Sequence, residues 1–375
     1  MMGTNQIRVL AINPGSTSTK FAVYEDESPT MVETLRHAPS ELVQFGDIME
    51  QHGFRKELIA RALVERGVAI RSLTAVVGRG GLLRPIPSGV WVVTPAMIAD
   101  LRAPSRIKHA SNLGALIAAE IAGEAGCPAY VVDPIVVDEL EPIARLSGLP
   151  ELERRSVFHA LNHKAVARKA AAVLGKTYEE INLVVAHMGG GITVGAHRSG
   201  RVVDVTNGLD GEGPFTPERA GGLPAGEVVR LAFSGRYSES ELLQRLVRRG
   251  GLLAYLGTND AVEVERRLDS GDAEAFLVYR ALAYQVAKDI GAMAAVLEGH
   301  VHAVVLTGGL TYSKRLVEWI RGRVGFLGEF MIFPGENELE ALALGVLRVL
   351  KGEEAARLYE PETSSICFGR CELGG

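Results

Sequence analysis

Three short polar loops in this sequence carry residue types suited to holding a phosphate. Gly15-Ser16-Thr17-Ser18-Thr19-Lys20 places hydroxyls and a lysine behind one glycine, and Gly189-Gly190-Gly191 is a bare glycine run just after His187. Thr307-Gly308-Gly309-Leu310 joins a β-rich run to a helical one. A concave run of backbone N–H donors is an anion site even without a helix dipole, and glycine lets the backbone approach the anion closely. The first loop is not a Walker A motif: the second glycine of G-x-x-x-x-G-K-[ST] is missing, and Lys20 is followed by Phe21 in what reads as a strand. Taken singly, each loop also reads as an ordinary turn. Their order along the chain carries more weight.

The elements that must position these loops read as follows. Ile7–Ile12 is β-rich, the loop at 13–19 breaks it, and Phe21–Tyr24 resumes it. Phe54, Leu58, Ile59, Ala62 and Leu63 share one helix face, and Ala75–Val77 starts a buried strand that runs into Gly78-Arg79-Gly80-Gly81. Thr94-Pro95 supplies an N-cap and a first-turn proline, Ser111–Ala125 with Gly126 reads as a capped helix, and Tyr130–Val132 is a strand ending at Asp133-Pro134. The second half repeats the opening: strand 183–186, the glycine turn, and a returning strand 192–196. A long helix from about Ala273 to Glu298, a strand at 304–306 and a helix over 336–350 follow. Two such openings imply an internal duplication about 170 to 180 residues apart, suited to paired domains and too long for a solenoid.

Composition narrows the classes. The 375 residues give two cores' worth of apolar material, and 40 basic against 45 acidic residues argue against a cationic nucleic-acid binder. Cys127, Cys367 and Cys371 are too few and scattered for a disulfide scaffold, and only about six apolar residues precede Asn13, too few for a signal-peptide core. The longest apolar stretch, 281–297, is interrupted by Gln285, Lys288 and Asp289, so it reads as a buried helix. No membrane or nucleic-acid partner is expected, and the chain is expected in the cytoplasm. Many of the 43 glycines should sit in tight loops.

Seven separated segments, in order, resemble the acetokinase family within the acetate and sugar kinase, Hsp70 and actin superfamily. They are INPGSTSTKFAVYEDE at 12–27, VGRGGLLRPI at 77–86, VVDPIVVDEL at 131–140, FHALNHKAVAR at 158–168, AHMGGGITVGAH at 186–197, LTGGLTYSKRL at 306–316 and GENELEALALGVLRVLKGEE at 335–354. Within the family the wording is most similar to the butyrate kinases. The resemblance implies an α/β fold of two duplicated ribonuclease H-like, actin-like ATPase domains with a nucleotide cleft between them. The first would span 1–134, completed by a C-terminal helix near 338–352, the second 135–337, and 353–375 would be a tail, partly disordered. It further implies reversible phosphoryl transfer between ATP and a short-chain carboxylate, giving an acyl phosphate and ADP with Mg²⁺, in a homo-oligomer, a dimer or larger.

Residue by residue, the resemblance assigns catalysis to Arg79, Asp133 and His159, and nucleotide binding to Asn13, Gly15, Ser16, Thr17, Ser18, Lys20, His187, Gly189, Gly190, Gly191, Gly308 and Gly309. Arg79 would pair with the substrate carboxylate or the transferring phosphoryl through its planar fork. Asn13, Asp133 and either Glu336 or Glu338 would serve Mg²⁺. Where acetate kinases carry Thr-Arg-Ser-Gly-Asp after Phe-Thr-Pro, this chain has Phe215-Thr216-Pro217-Glu218-Arg219, so Arg219 is a substitute candidate for the catalytic arginine. Gly80 and Gly81 would leave a roomier acyl pocket walled by Phe158 and Pro217. His159 and His163 lack the glutamate of a zincin motif, and His163 reads as structural. A carboxylate is already ionised at neutral pH, so this chemistry needs no general base. Two other readings stay open: a sugar or polyol kinase with Asp133 as base, and a nucleotide-binding switch or chaperone-like ATPase.

Overall fold

The computed structural model describes residues 6–103, 109–209 and 211–360. They form two compact units, one holding the chain up to Val137 and from Asn337 onward, the other Asp138–Glu336. Both are α/β, built on one mixed sheet each.

In the first unit the sheet runs β12-β5-β6-β4-β1-β2-β3, with β1 (Arg8–Pro14), β2 (Ser18–Glu25), β3 (Ser28–Arg36), β4 (Ala75–Arg79), β5 (Val90–Val92), β6 (Ala129–Val132) and β12 (Arg357–Leu358). The pairs β1–β2 and β2–β3 are antiparallel, while β1–β4 and β4–β6 are parallel. Val9, Leu10, Ala11 and Ile12 are all fully buried, so β1 needs cover on both faces. Leu10 and Ile12 pack with Ile59 and Leu63 of the helix His52–Glu65 and with Leu113, Ile117 and Ile121 of Asn112–Ala125. That second helix lies so close that a Cβ on Gly78 would strike the backbone of Gly114, which bars any side chain there. The last helix, Glu338–Leu350, also packs on β1, with Leu342, Ala343 and Val346 buried. Each buried Leu, Ile or Val among them contributes roughly 1.5–3 kcal/mol.

The second unit repeats this connectivity. Its sheet runs β11-β10-β7-β8-β9, from β7 (Asn182–Met188), β8 (Ile192–Arg198), β9 (Arg201–Val205), β10 (Ala303–Gly308) and β11 (Glu329–Pro334). Again two antiparallel pairs, β7–β8 and β8–β9, adjoin two parallel ones, β7–β10 and β10–β11. Alternation decides the faces. Val184 and Ala186 turn toward the long helix Ala273–Val296, meeting Leu282, Val286 and Ile290, while Leu183 and Val185 meet Val166 and Ala170 of the helix Ala160–Val173. Among the described residues no helix is long and apolar enough to cross a membrane.

Part of the expected tail is ordered. Arg357–Leu358 pair with β5, and Tyr359 is buried, edge-on to Trp91 with its hydroxyl donating to Asp100 Oδ2 at 2.5 Å. One aromatic side chain and one edge strand suffice to hold residues 357–359 on the first unit. The tail from 361, with Cys367 and Cys371, lies outside the described residues.

On the helix Ala273–Val296, Asp289 is half-buried and its Oδ2 accepts no hydrogen bond. Burial pushes its carboxyl up to about 6. A carboxyl raised above its unfolded value binds more protons in the folded state, so stability falls as pH rises from about 4 to about 6. Asp289→Asn should therefore raise stability at pH 7 by on the order of 2 kcal/mol and do little at pH 4, read from urea melts at the two pH values.

Candidate functional site

In the first unit the loop between β1 and β2 is a tight turn in which Gly15 N–H donates to Ser18 O at 2.7 Å, with Ser16 and Thr17 exposed. Its underside is built by a residue that no local pattern marks. Arg55, fully buried on the helix His52–Glu65, donates from Nη1 to Gly15 O (2.7 Å), Ser18 O (3.1 Å) and Thr19 Oγ1 (3.1 Å), and from Nη2 to Ser16 O (3.1 Å). Gln51 Oε1 takes its remaining donors at 3.2 and 2.7 Å. The turn's carbonyls are thereby drawn inward, away from any incoming anion. Burial lowers the Arg55 pKa to about 10, which leaves it cationic at neutral pH. Lys20 lies on β2 rather than in the turn, exposed and paired in register with Asn13.

Arg79 closes β4 beside the end of β1 and forms an ion pair with Glu338 at 2.6 Å. Asn13 Nδ2 donates to the other oxygen of Glu338, and Asn13 Oδ1 accepts from Arg79 Nη1 at 3.4 Å. Glu338 opens the last helix, where the dipole favours an acid. Asp133 follows β6 with φ of 39°, a left-handed conformation that costs most side chains energy and that Asp tolerates. It is 3% exposed, and its Oδ1 accepts from Ser88 Oγ (2.6 Å) and Gly89 N (2.8 Å), so the carboxylate is fixed in direction.

In the second unit the turn Gly189–Gly191 joins β7 to β8, with Gly189 N–H on Gly191 O at 2.9 Å. His159, at the N-cap of the helix Ala160–Val173, stacks on His187 with ring centroids 3.9 Å apart and planes 19° off parallel. His187 is 2% exposed, with Nδ1 3.1 Å from Asn162 Oδ1 and Nε2 3.2 Å from Glu336. Arg219 donates to Gly208 O, while its Nε is buried and makes no hydrogen bond. A Cβ on Gly191 would lie 2.5 Å from Arg219 Nη1 and 3.2 Å from His159 Cε1. That glycine is what lets cation, imidazole and turn share one place. Thr216 Oγ1 ties the Arg219 loop down, donating to Gly190 O at 2.8 Å and accepting from Arg219 N at 3.0 Å. Gly308, with φ of 93°, presses its backbone against Met188 at the end of β7. Gly309 starts a short 3-10 turn, so the helix expected directly after it begins at Lys314 instead.

The structure thus gathers Asn13, Arg79 and Glu338 in one unit, and His159, His187, Arg219, the glycine turn and Glu336 in the other. The rival glutamates are thereby separated, although two positions apart. The roomy acyl pocket expected at Gly80 and Gly81 is corrected: a Cβ on Gly80 would lie 2.6 Å from Pro134 Cβ, and one on Gly81 would strike Asn112. These glycines admit neighbouring residues rather than leaving space. Phe158 is buried, edge-on to His163 at 5.2 Å, and Pro217 is buried with its carbonyl accepting from Leu253 N–H, so both serve packing. His163 is fully buried, with Nε2 2.9 Å from Thr193 Oγ1. No cluster of three or more His, Cys, Asp or Glu that would hold a metal occurs among the described residues. The side-chain oxygens of Asn13, Asp133 and Glu338 are donors of the type Mg²⁺ takes, a hard cation that usually holds one or two carboxylates, waters and substrate phosphates.

A family model described as the acetokinase family matches residues 150–337. Among solved structures, acetate kinase from Porphyromonas gingivalis is similar at 20% identity and a TM-score of 0.76, covering 92% of this chain and 100% of that one. A propionate kinase from Francisella tularensis gives 19% and 0.70 over 90% and 98% of the two chains. Acetate kinase from Entamoeba histolytica gives 16% and 0.72 over 90% and 98%. At these identities the likeness establishes the fold.

Replacing Arg55 by Met should take its donors from the carbonyls of Gly15, Ser16 and Ser18, the last keeping only Gly15 N–H, loosening the turn and weakening binding of inorganic phosphate or a nucleoside triphosphate at least tenfold, as titration calorimetry would register. Arg55→Lys, which keeps the charge but not the fork, should recover only part of that affinity.

Proposed function

Because the chain belongs to the acetokinase family, we propose that it catalyses reversible phosphoryl transfer between ATP and a short-chain carboxylate, with butyrate or a related straight or branched acid preferred, forming an acyl phosphate and ADP. The observation that supports this most directly is Arg219, a half-buried cation against a glycine turn and an imidazole, whose buried Nε–H has no acceptor. Such a group suits an oxyanion in transfer.

The incoming carboxylate is anionic at neutral pH and attacks phosphorus without a base. Catalysis then rests on position and on charge stabilisation around the equatorial oxygens. In this reading Arg79 exchanges its pairing with Glu338 for the substrate carboxylate or the transferring phosphoryl. His159 and Arg219 donate to phosphoryl oxygens, and the turns at 15–18 and 189–191 receive the nucleotide phosphates with Gly308. Asp133 keeps a carboxylate that Ser88 and Gly89 already hold for the magnesium shell, since an acceptor-only group cannot bond an anionic acid directly. Asn13, Asp133 and Glu338 would hold Mg²⁺, which would supply positive charge against the nucleotide phosphates when bound. Glu338 is preferred over Glu336 for that role because it already shares contacts with Asn13 and Arg79.

Butyrate differs from acetate by two methylenes, worth about 0.8 kcal/mol each when buried, so a preference of about tenfold is within reach of modest packing changes. Self-association and a cytoplasmic setting are parts of the same proposal. The helices Ala225–Ala232 and Glu239–Val247 bury no residue within the protomer and expose Val229, Phe233 and Leu243, which supports a homo-oligomer.

Trapping acyl phosphate as hydroxamate across C2 to C5 acids should give product with Mg-ATP, with the highest kcat/KM at C4. No product with any acid would sink the proposal, and sugar-dependent ADP release would replace it. Arg79→Ala should cost about 10²–10³-fold in kcat/KM with the fold intact by circular dichroism. Light scattering should give a mass above that of the 40.1 kDa protomer.

A further inference from the structure

Arg219 is held at a single point. Among the described residues its guanidinium makes one hydrogen bond, from Nη1 to the carbonyl of Gly208, while Thr216 ties down only its backbone. A planar fork anchored at one nitrogen takes its direction from that acceptor. The Gly208 carbonyl therefore decides where the cation stands, and it belongs to the peptide that links Gly208 to Leu209.

That peptide is gripped at its other end. Leu209 N–H donates to Asn207 Oδ1 at 2.9 Å, a turn in which a short polar side chain accepts from the backbone two residues on. In a trans peptide, as this one is, the N–H and C=O point opposite ways in one plane, so holding the first aims the second. Asn207 is 2% exposed, and its Nδ2 donates to Arg155 O at 3.1 Å. A backbone carbonyl only accepts and a backbone N–H only donates, which leaves the carboxamide one orientation.

Asn207 is placed in turn by an ion pair. Its N–H donates to Glu212 Oε2 at 3.1 Å, and Arg154 grips both oxygens of Glu212, from Nε at 3.3 Å and from Nη2 at 3.1 Å. Arg154 also donates to Ala144 O (2.7 Å), Asp204 Oδ1 (2.9 Å) and Val205 O (3.1 Å), so all five of its N–H groups are used and the fork is seated on the end of β9. Gly208 N–H donates to Val157 O at 2.8 Å, two residues before His159. A Cβ on Gly208 would lie 2.8 Å from Cγ2 of Thr193, whose Oγ1 is 3.0 Å from His159 Nδ1 and 2.9 Å from His163 Nε2. The turn at 207–209 thus touches the supports of both the imidazole and the guanidinium.

We propose that Asn207 is the positioning residue that aims Arg219, by turning the Gly208–Leu209 peptide so that its carbonyl holds the guanidinium against the Gly189–Gly191 turn, with Glu212 and Arg154 fixing Asn207 itself. Resting on the kinase reading above, the cation so aimed is the one offered to a phosphoryl oxygen. Asn207 acts only through Arg219.

The test uses the full chain labelled with ¹⁵N-arginine, the Nε–Hε signal of Arg219 being assigned by its loss in Arg219→Lys. Asn207→Ala, which removes the acceptor for Leu209 N–H, should shift and broaden that signal while the circular dichroism stays unchanged. Asn207→Ser, whose hydroxyl makes the same turn more weakly, should displace it part of the way, and it carries the test if the alanine variant does not fold. An Arg219 signal unmoved in every variant that folds would overturn the proposal. In turnover, Asn207→Ala should lower kcat about 10²-fold with KM for ATP and acid unchanged, and Asn207→Ser about tenfold. Added to Arg219→Lys, Asn207→Ala should cost almost nothing further, because the two residues act as one unit. Losses that multiply in the double variant would mean that Asn207 acts apart from Arg219, and would overturn the proposal too. The spectra need no substrate, so a protein that transfers no phosphoryl group would defeat the kinase reading while the aiming of Arg219 is judged from the spectra.

Discussion

A guanidinium moved out of water loses several kcal/mol of solvation, a cost that acceptors for its N–H donors offset. Arg55 finds them on three backbone carbonyls, one hydroxyl and one amide, every one of them uncharged. The charge is therefore solvated without being cancelled. One side chain sets both the shape of the β1–β2 turn and the positive potential beneath it. The neighbouring structure is arranged to preserve this. His37 bonds the same Thr19 hydroxyl at 2.9 Å and is kept toward its neutral form by burial and by Arg55 itself.

The two units solve the same electrostatic problem by different means. In the first, Arg79 is held by a carboxylate and an amide that a competing anion can replace, so the resting cation is already oriented. In the second, the groups around the glycine turn are the half-buried Arg219, the stacked rings of His159 and His187, and the Glu336 carboxylate on His187. Burial lowers the Arg219 pKa only in part, because Glu218 works against the shift. Donors in a low-dielectric pocket act on a developing charge more strongly than they would in water, and they need not reorganise when the charge moves.

Much of the framework was legible because its signals are local. The run Asn13–Thr19 interrupts two β-rich segments, and the structure turns there. Thr94 accepts from Met97 N–H as an N-cap, and Gly126 ends its helix with a left-handed φ of 73°. The duplication was legible from the repeated opening, and the two sheets share their pairing pattern. What stayed hidden depends on contacts distant in sequence. Nothing near Arg55 marks it as the support for residues 15–19, and nothing near Thr193 marks it as the link between two histidines. Glu336 and Glu338 were indistinguishable by spacing, since only tertiary packing sends one to His187 and the other to Asn13, 325 positions away. The acyl-pocket reading failed for a related reason: a glycine pair signals close approach, and sequence does not say what approaches.

The first unit is covalently discontinuous, with six of its seven strands laid down by residue 137 and its last helix and edge strand arriving only after 337. On a ribosome the whole second unit emerges before that helix does. Through that interval the face of β1 destined for Leu342 and Val346 is apolar and uncovered. The second unit has every residue it needs first, so it is the natural early-folding body, and the first must wait for the chain's end. Loss of the last forty residues would then remove more than a terminus. It would strip one layer from a domain whose other layers lie hundreds of residues upstream, and leave Arg79 without its carboxylate.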